Sequence, residues 1–209
     1  MTESGPPARP DVTGTVFPEA ADVAARYVEL LATTGVEWGL IGPRETDRLW
    51  ERHVFNSAAL ADLVPEGATV VDVGSGAGLP GIPLALRRPD LQVTLLEPLL
   101  RRATFLAQTV ESLELTDRVR VVRGRAEDHP EAYDTVVSRA LAPLPRLLGW
   151  CLPLTVRAGS VLALKGRTAQ AELDENTREL AKQHLTAEVV SVQAYEGADP
   201  ATVVRARRT

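Results

Sequence analysis

Cysteine is almost missing from this chain: Cys151 is the one cysteine among 209 residues. An internal disulfide and a cysteine-cluster metal site are therefore excluded. No apolar run approaches the roughly 20 residues of a membrane-spanning helix. The first residues, Met1–Pro7, have neither the basic nor the apolar segment of a signal peptide. We therefore expect a cytoplasmic protein with no membrane partner and no metal.

Lysine is also scarce, since only Lys165 and Lys182 contribute to the 23 basic residues. The net charge of −5 argues, taken alone, against a nucleic-acid-binding protein. Residues 87–125 differ, because eight arginines stand there against five acids, an excess of three positive charges. This local excess favours a basic patch on an acidic protein, with solvated helix faces as the alternative.

The order of apolar patterns predicts one domain with an N-terminal appendage. Residues 1–15, rich in proline, glycine and threonine, are expected to be a disordered tail. In residues 16–66, apolar side chains recur at helical spacing from about Pro18 and again over 45–64. This pattern predicts a helical extension. Residues 67–209 form the main domain.

Strands and helices alternate through that domain. Strands are expected at residues 69–73, 92–97, 119–122, 135–138, 160–164, 187–195 and 202–206, and helices at 79–88, 99–115, 143–156 and 170–184. This alternation predicts an α/β, Rossmann-like fold with a seven-stranded, mostly parallel, doubly wound sheet. No helix separates the last two strands, so we expect an antiparallel C-terminal hairpin at one edge.

A glycine-rich loop, Asp72-Val-Gly74-Ser-Gly76-Ala-Gly78, follows the first strand and precedes a helix. Glycine permits close approach of the backbone to a ligand, and a helix N-terminus suits a polar or anionic group. The overlapping pattern from Gly76 to Gly81 also fits a dinucleotide loop. Because the strand ends at Asp72-Val73, the tight turn falls at Gly74, which favours S-adenosylmethionine. A nicotinamide cofactor and a purely structural turn are the alternatives.

Acidic residues follow the next two strands. Glu97 ends the second strand, where a carboxylate can accept hydrogen bonds from the two hydroxyls of a ribose. Both cofactors predict this acid, so it indicates nucleoside binding without choosing between them. After the third strand, Glu127 is favoured over Asp128 for the adenine, with a helix N-cap as the alternative for this pair.

Several catalytic motifs are missing after the fourth strand, where Ser138–Pro143 faces the ligand crevice. There is no Asn-Pro-Pro-aromatic motif for exocyclic amines and no Pro-Cys nucleophile, and Cys151 lies in an apolar stretch typical of core. Guanine N7 suits such a site because it has an available lone pair and no proton to remove. We therefore expect kcat to be nearly flat between about pH 6.5 and 9.

Together these segments resemble one protein family. They are Arg52-His-Val-Phe-Asn-Ser, Asp72-Val-Gly-Ser-Gly-Ala-Gly-Leu-Pro-Gly-Ile-Pro-Leu-Ala, Leu96-Glu-Pro, Arg101-Arg-Ala-Thr-Phe-Leu, Arg125-Ala-Glu, Val137-Ser-Arg-Ala and Ala163-Leu-Lys-Gly. Over roughly residues 25–205 the chain resembles the RsmG/GidB family, in which Asp usually stands where this chain has Asn56. The resemblance implies a class I S-adenosylmethionine-dependent fold and methylation of guanine N7 in the 530 loop of 16S rRNA.

The resemblance also implies site residues. Leu79 and Gly74 line the methionine and ribose region, Ala126 and Glu127 hold the adenine, and Arg139 closes the cofactor pocket near the methyl group. The candidate cofactor-binding residues are Gly74, Gly76, Gly78, Leu79, Glu97, Ala126, Glu127 and Arg139, with Arg139 also the candidate catalytic residue. The candidate RNA-binding residues are Arg52, His53, Arg101, Arg102, Arg125 and Lys165. The alternative interpretation gives these residues no role in binding. In it, His53 and Arg52 serve packing, and Arg139 and Lys165 are ordinary exposed side chains.

The implied partner is 16S rRNA or a small-subunit ribonucleoprotein, bound by a monomer. Two other functions remain open at this point. One is an NAD-dependent oxidoreductase, which depends on the overlapping glycine pattern alone and lacks a plausible hydride-transfer acid. The other is a non-catalytic RNA- or nucleotide-binding module, against which the intact glycines, Glu97 and Glu127 argue.

Overall fold

The computed structural model describes residues 6–209, and residues 1–5 lie outside the described part. Seven strands make one sheet within it: β1 (Thr69–Val73), β2 (Gln92–Leu96), β3 (Val119–Val122), β4 (Tyr133–Arg139), β5 (Thr155–Lys165), β6 (Leu185–Val192) and β7 (Ala201–Arg208). Their order is β3-β2-β1-β4-β5-β7-β6. The strands β1 to β5 are parallel, and β7 is antiparallel to both β5 and β6. The predicted sheet and its C-terminal hairpin are confirmed.

Seven α-helices accompany the sheet in the described residues. They are α1 (Thr13–Val16), α2 (Ala21–Leu30), α3 (Asn56–Ala58), α4 (Gly81–Arg87), α5 (Leu100–Ser112), α6 (Leu144–Cys151) and α7 (Ala169–Lys182). Shorter or wider helical turns cover Leu31–Gly35, Pro43–Arg48, Leu49–Phe55, Ala59–Leu63, Ala126–Asp128 and Leu152–Leu154. The helix expected over residues 45–64 is therefore present, as successive 3-10, π- and α-helical turns.

The N-terminal extension packs into the main hydrophobic core. Phe55 lies 5.7 Å, centroid to centroid, from Tyr195 in the hairpin loop and 6.2 Å from Phe17. Residues of α2, the turns 49–63, β1 and β2 belong to one continuous cluster of buried apolar side chains. Burial of these side chains fixes the extension against the carboxyl ends of the strands and brings its polar residues to the site.

Two local predictions differ from the structure. The disordered tail was expected over residues 1–15, of which residues 1–5 lie outside the described part of the chain. The expectation is wrong for residues 13–15, because α1 forms there and buries Thr13 and Val16. The helix expected over 143–156 ends at Cys151, and β5 begins at Thr155. Pro153 has no amide proton to continue a helix, and the β-branched Thr155 and Val156 favour a strand.

The connections reverse direction between β1 and β4, which are neighbours in the sheet but not in sequence. Ligands of open α/β sheets bind at such a switch point, outside the carboxyl ends of the strands. The glycine loop leaves β1 there, and Arg139 ends β4 beside it. The topology therefore puts the two most informative sequence segments at one crevice.

Candidate active site

The glycine loop has left-handed backbone at Gly74 and Gly76, with φ of 69° and 59°. A Cβ atom on Gly76 would meet nothing nearer than the Gly74 carbonyl oxygen, at 3.8 Å. A Cβ atom on Gly74 would lie 2.6 Å from Cδ1 of Leu141. A side chain at Gly74 would thus displace the end of the Leu141 side chain, whereas Gly76 borders open space that a ligand can fill.

Asp72 lies buried beneath this loop. Its Oδ2 accepts hydrogen bonds from Ser75 Oγ at 2.6 Å and from the Gly81 amide at 2.9 Å. Burial raises the pKa of Asp72 to about 6. Its Oδ1 is also buried and has no hydrogen-bond partner within residues 6–209. Such an atom is costly to leave unpaired, so a donor or cation is expected to complete it.

Glu97 connects the loop to the end of β2. Its Oε2 accepts from the Gly76 amide and its Oε1 from the Leu99 amide, each at 3.0 Å. These contacts place Glu97 directly beside the glycine loop. Glu97 is only 1% exposed, but each carboxylate oxygen retains acceptor capacity beyond its one amide.

Tyr27 of α2 is a site residue that the sequence did not reveal. Its buried hydroxyl donates to the Ala77 carbonyl at 2.8 Å, which fixes the loop from the N-terminal side. Burial raises the pKa of Tyr27 well above its usual value, so the phenol stays protonated and can donate. Fifty positions separate the two residues, and no local motif signals the contact.

A first cavity of about 290 Å³, here called the cofactor cavity, opens beside Gly74. It is lined by Val73, Gly74, Leu96, Pro98, Gly124, Arg125, Ala126, Glu127, Leu141, Arg146 and Trp150. The Arg146 guanidinium lies 4.7 Å from the centre of the Trp150 ring. Gly74, Ala126 and Glu127 are thus brought together as predicted. Leu141 belongs to the segment Ser138–Pro143, which was expected at the crevice. Arg146 and Trp150 were not anticipated, and their helical i, i+4 spacing is the one sequence signal that links them.

The other candidate cofactor residues do not line this cavity. Leu79 and Glu97 are buried, and Gly76 and Gly78 lie along the loop beyond Gly74. Arg139 lines a different cavity, so the structure does not place it directly on the cofactor cavity. Arg125, expected among the RNA-binding residues, lines the cofactor cavity instead.

A second cavity of about 560 Å³, here called the substrate cavity, lies on the other side of the β4 end. It is lined by Arg52, Asn56, Arg139, Ala140, Leu164, Lys165, Gly166, Arg167, Pro200, Ala201 and Thr202. Four of these carry positive charge, and they come from the N-terminal extension, β4 and the end of β5. The cavity therefore suits an anionic ligand larger than a single base.

Lys165 lines the substrate cavity, and its ammonium group is held by hydrogen bonds within the protein. Its Nζ donates to the Ala142 carbonyl and to Glu172 Oε2, both at 2.9 Å, and its side chain is 13% exposed. Glu172 also accepts from the Leu144 amide. The ammonium group is thus held on the cavity wall, with its charge partly compensated.

Arg139 is held by the N-terminal extension. Its guanidinium donates to Nδ1 of His53 at 2.6 Å and to the His53 carbonyl at 3.3 Å. On the far side of the imidazole, Nε2 lies 2.9 Å from Glu45 Oε2. The His53 side chain is 12% exposed and lies behind Arg139, so the structure does not bring it to an RNA-facing surface.

The arginine-rich stretch does not form one basic patch. Arg101, Arg102, Arg123 and Arg125 are exposed and follow β2 or β3 near the crevice. Arg87, Arg88 and Arg118 instead donate to backbone carbonyls of Ala194, Ala61 and Ala85. Four of the eight arginines are therefore exposed near the crevice, where a ligand can reach them. One of these, Arg101, also stacks over the Trp38 ring, with its guanidinium carbon 5.7 Å from the ring centre.

Two further features bear on the chemistry. Among the helices of residues 6–209, none has both the length and the apolar character needed to cross a membrane. Within the same residues, no group of three or more histidine, cysteine or acidic side chains is arranged to hold a metal ion.

The sheet order, the glycine loop and the acidic residue after β2 define a class I S-adenosylmethionine-dependent methyltransferase. Solved methyltransferases share the fold at low sequence identity. A tRNA methyltransferase of B. subtilis aligns with a TM-score of 0.58 and 15% identity, over 74% of this chain and 65% of that one. A precorrin-6y methyltransferase from Geobacter metallireducens gives 0.54 and 14%, over 81% and 91%.

Sequence comparison then gives the family. The model for rRNA small subunit methyltransferase G matches residues 21–200. A relative of that name in Thermobifida fusca is 56% identical, over 98% of this chain and 86% of its own length. Another, in Mycobacterium sp. (strain JLS), is 52% identical over 96% and 91%. The chain belongs to the rRNA small subunit methyltransferase G family, in agreement with the resemblance noted in the sequence.

Proposed function

We propose that this enzyme transfers a methyl group from S-adenosylmethionine to N7 of a guanine in 16S rRNA, within the 530 loop as its family implies. One observation carries the proposal: the cofactor cavity and a cationic substrate cavity lie on either side of one short segment. Ala140 and Arg139 line the substrate cavity, and the next residue, Leu141, lines the cofactor cavity. A donor and an acceptor bound in the two cavities are thereby brought close together.

The residues of the cofactor cavity fit S-adenosylmethionine, which supplies an electrophilic methyl group on a sulfonium. Trp150 and Leu141 offer apolar walls to the adenine, with Glu127 as a polar partner at its edge. Glu97 retains acceptor capacity for ribose hydroxyls. The open space at Gly76 leaves room for the methionine end of the cofactor.

The substrate cavity fits a nucleotide within RNA. Arg52 and Arg167 supply two cationic side chains for phosphate at its mouth. Arg139 and Lys165 lie deeper, where either can donate to guanine O6 and so fix the orientation of the base. Because these donors are held in place before reaction, they align N7 with the methyl donor.

Proton chemistry at the site supports a ring nitrogen with a free lone pair as the target. The histidine next to the substrate cavity, His53, has both ring nitrogens engaged, one with Arg139 and one with Glu45. Methyl transfer to N7 needs no general base, so catalysis depends on alignment and electrostatics. With rRNA as its substrate, the enzyme acts as a monomer in the cytoplasm.

The test is methylation of defined RNA by the purified protein. Tritiated S-adenosylmethionine is supplied with protein-free 16S rRNA, with small subunits or with 23S rRNA as the control. We expect label in 16S rRNA or the small subunit, and cleavage at N7-methylguanosine after borohydride and aniline treatment. Label on another base position, or equal labelling of 23S rRNA, would contradict the proposal. The two small-subunit substrates also show whether free rRNA or the particle is recognised.

A further inference from the structure

Arg139, on the wall of the substrate cavity, is oriented by His53 of the N-terminal extension. Arg139 makes two hydrogen bonds to His53, one to Nδ1 and one to the backbone carbonyl. A guanidinium has donors only, so Nδ1 must be the unprotonated acceptor. The proton of the neutral imidazole is then on Nε2, which donates to Glu45 Oε2 at 2.9 Å. Glu45, His53 and Arg139 thus form one directed chain of hydrogen bonds.

We propose that His53 is a positioning residue, which aims Arg139 into the substrate cavity and does so only as the neutral imidazole. A protonated Nδ1 would turn a donor toward the donors of Arg139 and set two positive charges in contact. The guanidinium would then leave its position on the cavity wall. The inference depends on the proposed function only for the step in which Arg139 assists methyl transfer.

The charges around His53 agree with a neutral ring at working pH. Glu45 faces Nε2 from the turn Pro43–Arg48, Arg52 is the neighbour on its own turn, and Arg139 faces Nδ1 from β4. Beyond Arg139, the Asp72 carboxyl of β1 also faces the guanidinium, and the phenol of Tyr27 beside it is neutral. Burial, and then the positive charge of Arg139, lower the pKa of His53, while Glu45 opposes them. His53 is therefore protonated only at a pH below the ordinary range for histidine.

The contact can be tested without any activity, by NMR titration of the imidazoles. The chain has only three histidines, His53, His129 and His184, so assignment by single variants is direct. We expect His53 to be the Nε2-protonated tautomer with a lowered pKa. Arg139→Gln removes a neighbouring positive charge, so the pKa of His53 should rise. A His53 titration that is the same in wild type and Arg139→Gln would overturn the proposal.

The functional step is tested by the pH profile of kcat/KM for rRNA methylation. Wild type should lose activity on the acid side as His53 is protonated. The profile is measured with S-adenosylmethionine saturating at every pH, so that protonation of Asp72, with a pKa of about 6, does not limit the rate through cofactor binding. His53→Asn supplies an amide oxygen near the place of Nδ1 that cannot be protonated, so the acid limb should disappear while most of the plateau remains. His53→Ala should lower the plateau by about tenfold or more, with unchanged S-adenosylhomocysteine affinity. An unchanged acid limb in His53→Asn, or a wild-type plateau in His53→Ala, contradicts positioning.

Glu45 offers a matched pair of charge variants. Glu45→Gln keeps an acceptor for Nε2 but removes the negative charge that raises the pKa of His53, so the acid limb should move to lower pH. Asp47→Asn makes the same charge change on the same turn, where Asp47 is exposed and has no hydrogen bond or ion pair within the described residues. It should leave the limb in place. If wild type methylates no rRNA, the proposed function fails, and the NMR titration still decides the contact.

Discussion

The two cavities on either side of the β4 end are built in opposite ways. The cofactor cavity takes its walls from loops after β1 to β4 and from α6, all within the α/β domain. The substrate cavity is about twice as large, carries four cationic side chains and needs the N-terminal extension and the start of β7 to close it. A small nucleoside can thus be held by a local motif, whereas an RNA site requires distant parts of the chain to meet.

This division implies that the two ligands can be weakened separately. Residues of the cofactor cavity should change the affinity for S-adenosylhomocysteine and leave RNA affinity alone. Residues of the substrate cavity should do the reverse. Four sets of variants test the division, and three of them have a control variant drawn from the same chain.

The largest effect is expected from Arg139→Ala. Removing a fixed donor at the reacting base should lower kcat/KM by about 10²–10³-fold. Because Arg139 does not line the cofactor cavity, calorimetry should show S-adenosylhomocysteine affinity within about threefold of wild type. An equal loss of cofactor affinity would show that Arg139 belongs to both sites, as the family resemblance implied.

Gly76→Val should abolish most cofactor binding. The added side chain enters the space beside the loop, and we expect affinity for S-adenosylhomocysteine to fall by about tenfold or more. Gly39→Val is the control, since Gly39 has a similar left-handed φ of 66° with no atom within 4 Å of an added Cβ. Both variants should lose similar melting temperature. Full cofactor affinity in folded Gly76→Val would remove the loop from the cofactor site.

Glu97→Gln should weaken S-adenosylhomocysteine binding by about 1–3 kcal/mol, the range for a hydrogen bond to a charged group. Asp128→Asn is the control and should bind normally, because Asp128 is exposed, whereas Glu97 accepts from the Gly76 amide of the glycine loop. Calorimetry of both variants measures the difference. Equal affinities for the two would put the ribose acceptor elsewhere, and a loss in Asp128→Asn alone would reverse the choice of Glu127.

The smallest effect is expected from replacing both Arg101 and Arg102 with Ala. Each lost phosphate contact on single-stranded RNA should reduce the log–log salt slope of RNA binding by roughly 0.7. Arg157, exposed near the opposite end of β5 from Lys165, is the control, and Arg157→Ala should leave the slope unchanged. If the double variant matches this control, the arginines after β2 are solvated charges only.

Much of the cofactor site could be predicted because its residues follow strands in a regular way. A β-branched run followed by glycines identifies the loop at Gly74, and the next two strand ends supply Glu97 and Ala126-Glu127. Parallel strands bring their carboxyl ends to the same edge, so position along the chain is enough to place these residues together. The wall at Trp150 was missed because this residue lies within α6, away from any strand end.

The substrate site was predicted less well, because its side chains are positioned by contacts between distant parts of the chain. Charge counting joined arginines 87–125 into one patch, whereas Arg87, Arg88 and Arg118 bind backbone carbonyls inside the protein. Arg139 and Lys165 were chosen correctly as residues near the crevice, but their partners His53 and Glu172 were not foreseen. Hydrogen bonds between distant side chains leave no periodic signal in a sequence.

The α/β sheet, the glycine loop and the family follow from residues close together in the chain, because strand and helix periodicity and turn chemistry act locally. The direction of Arg139 does not, since 86 positions separate it from His53. The same is true of Tyr27 and the Ala77 carbonyl. These contacts exist because burial of the extension's apolar residues against the sheet carries its polar side chains to the site, and that packing is a property of the folded chain.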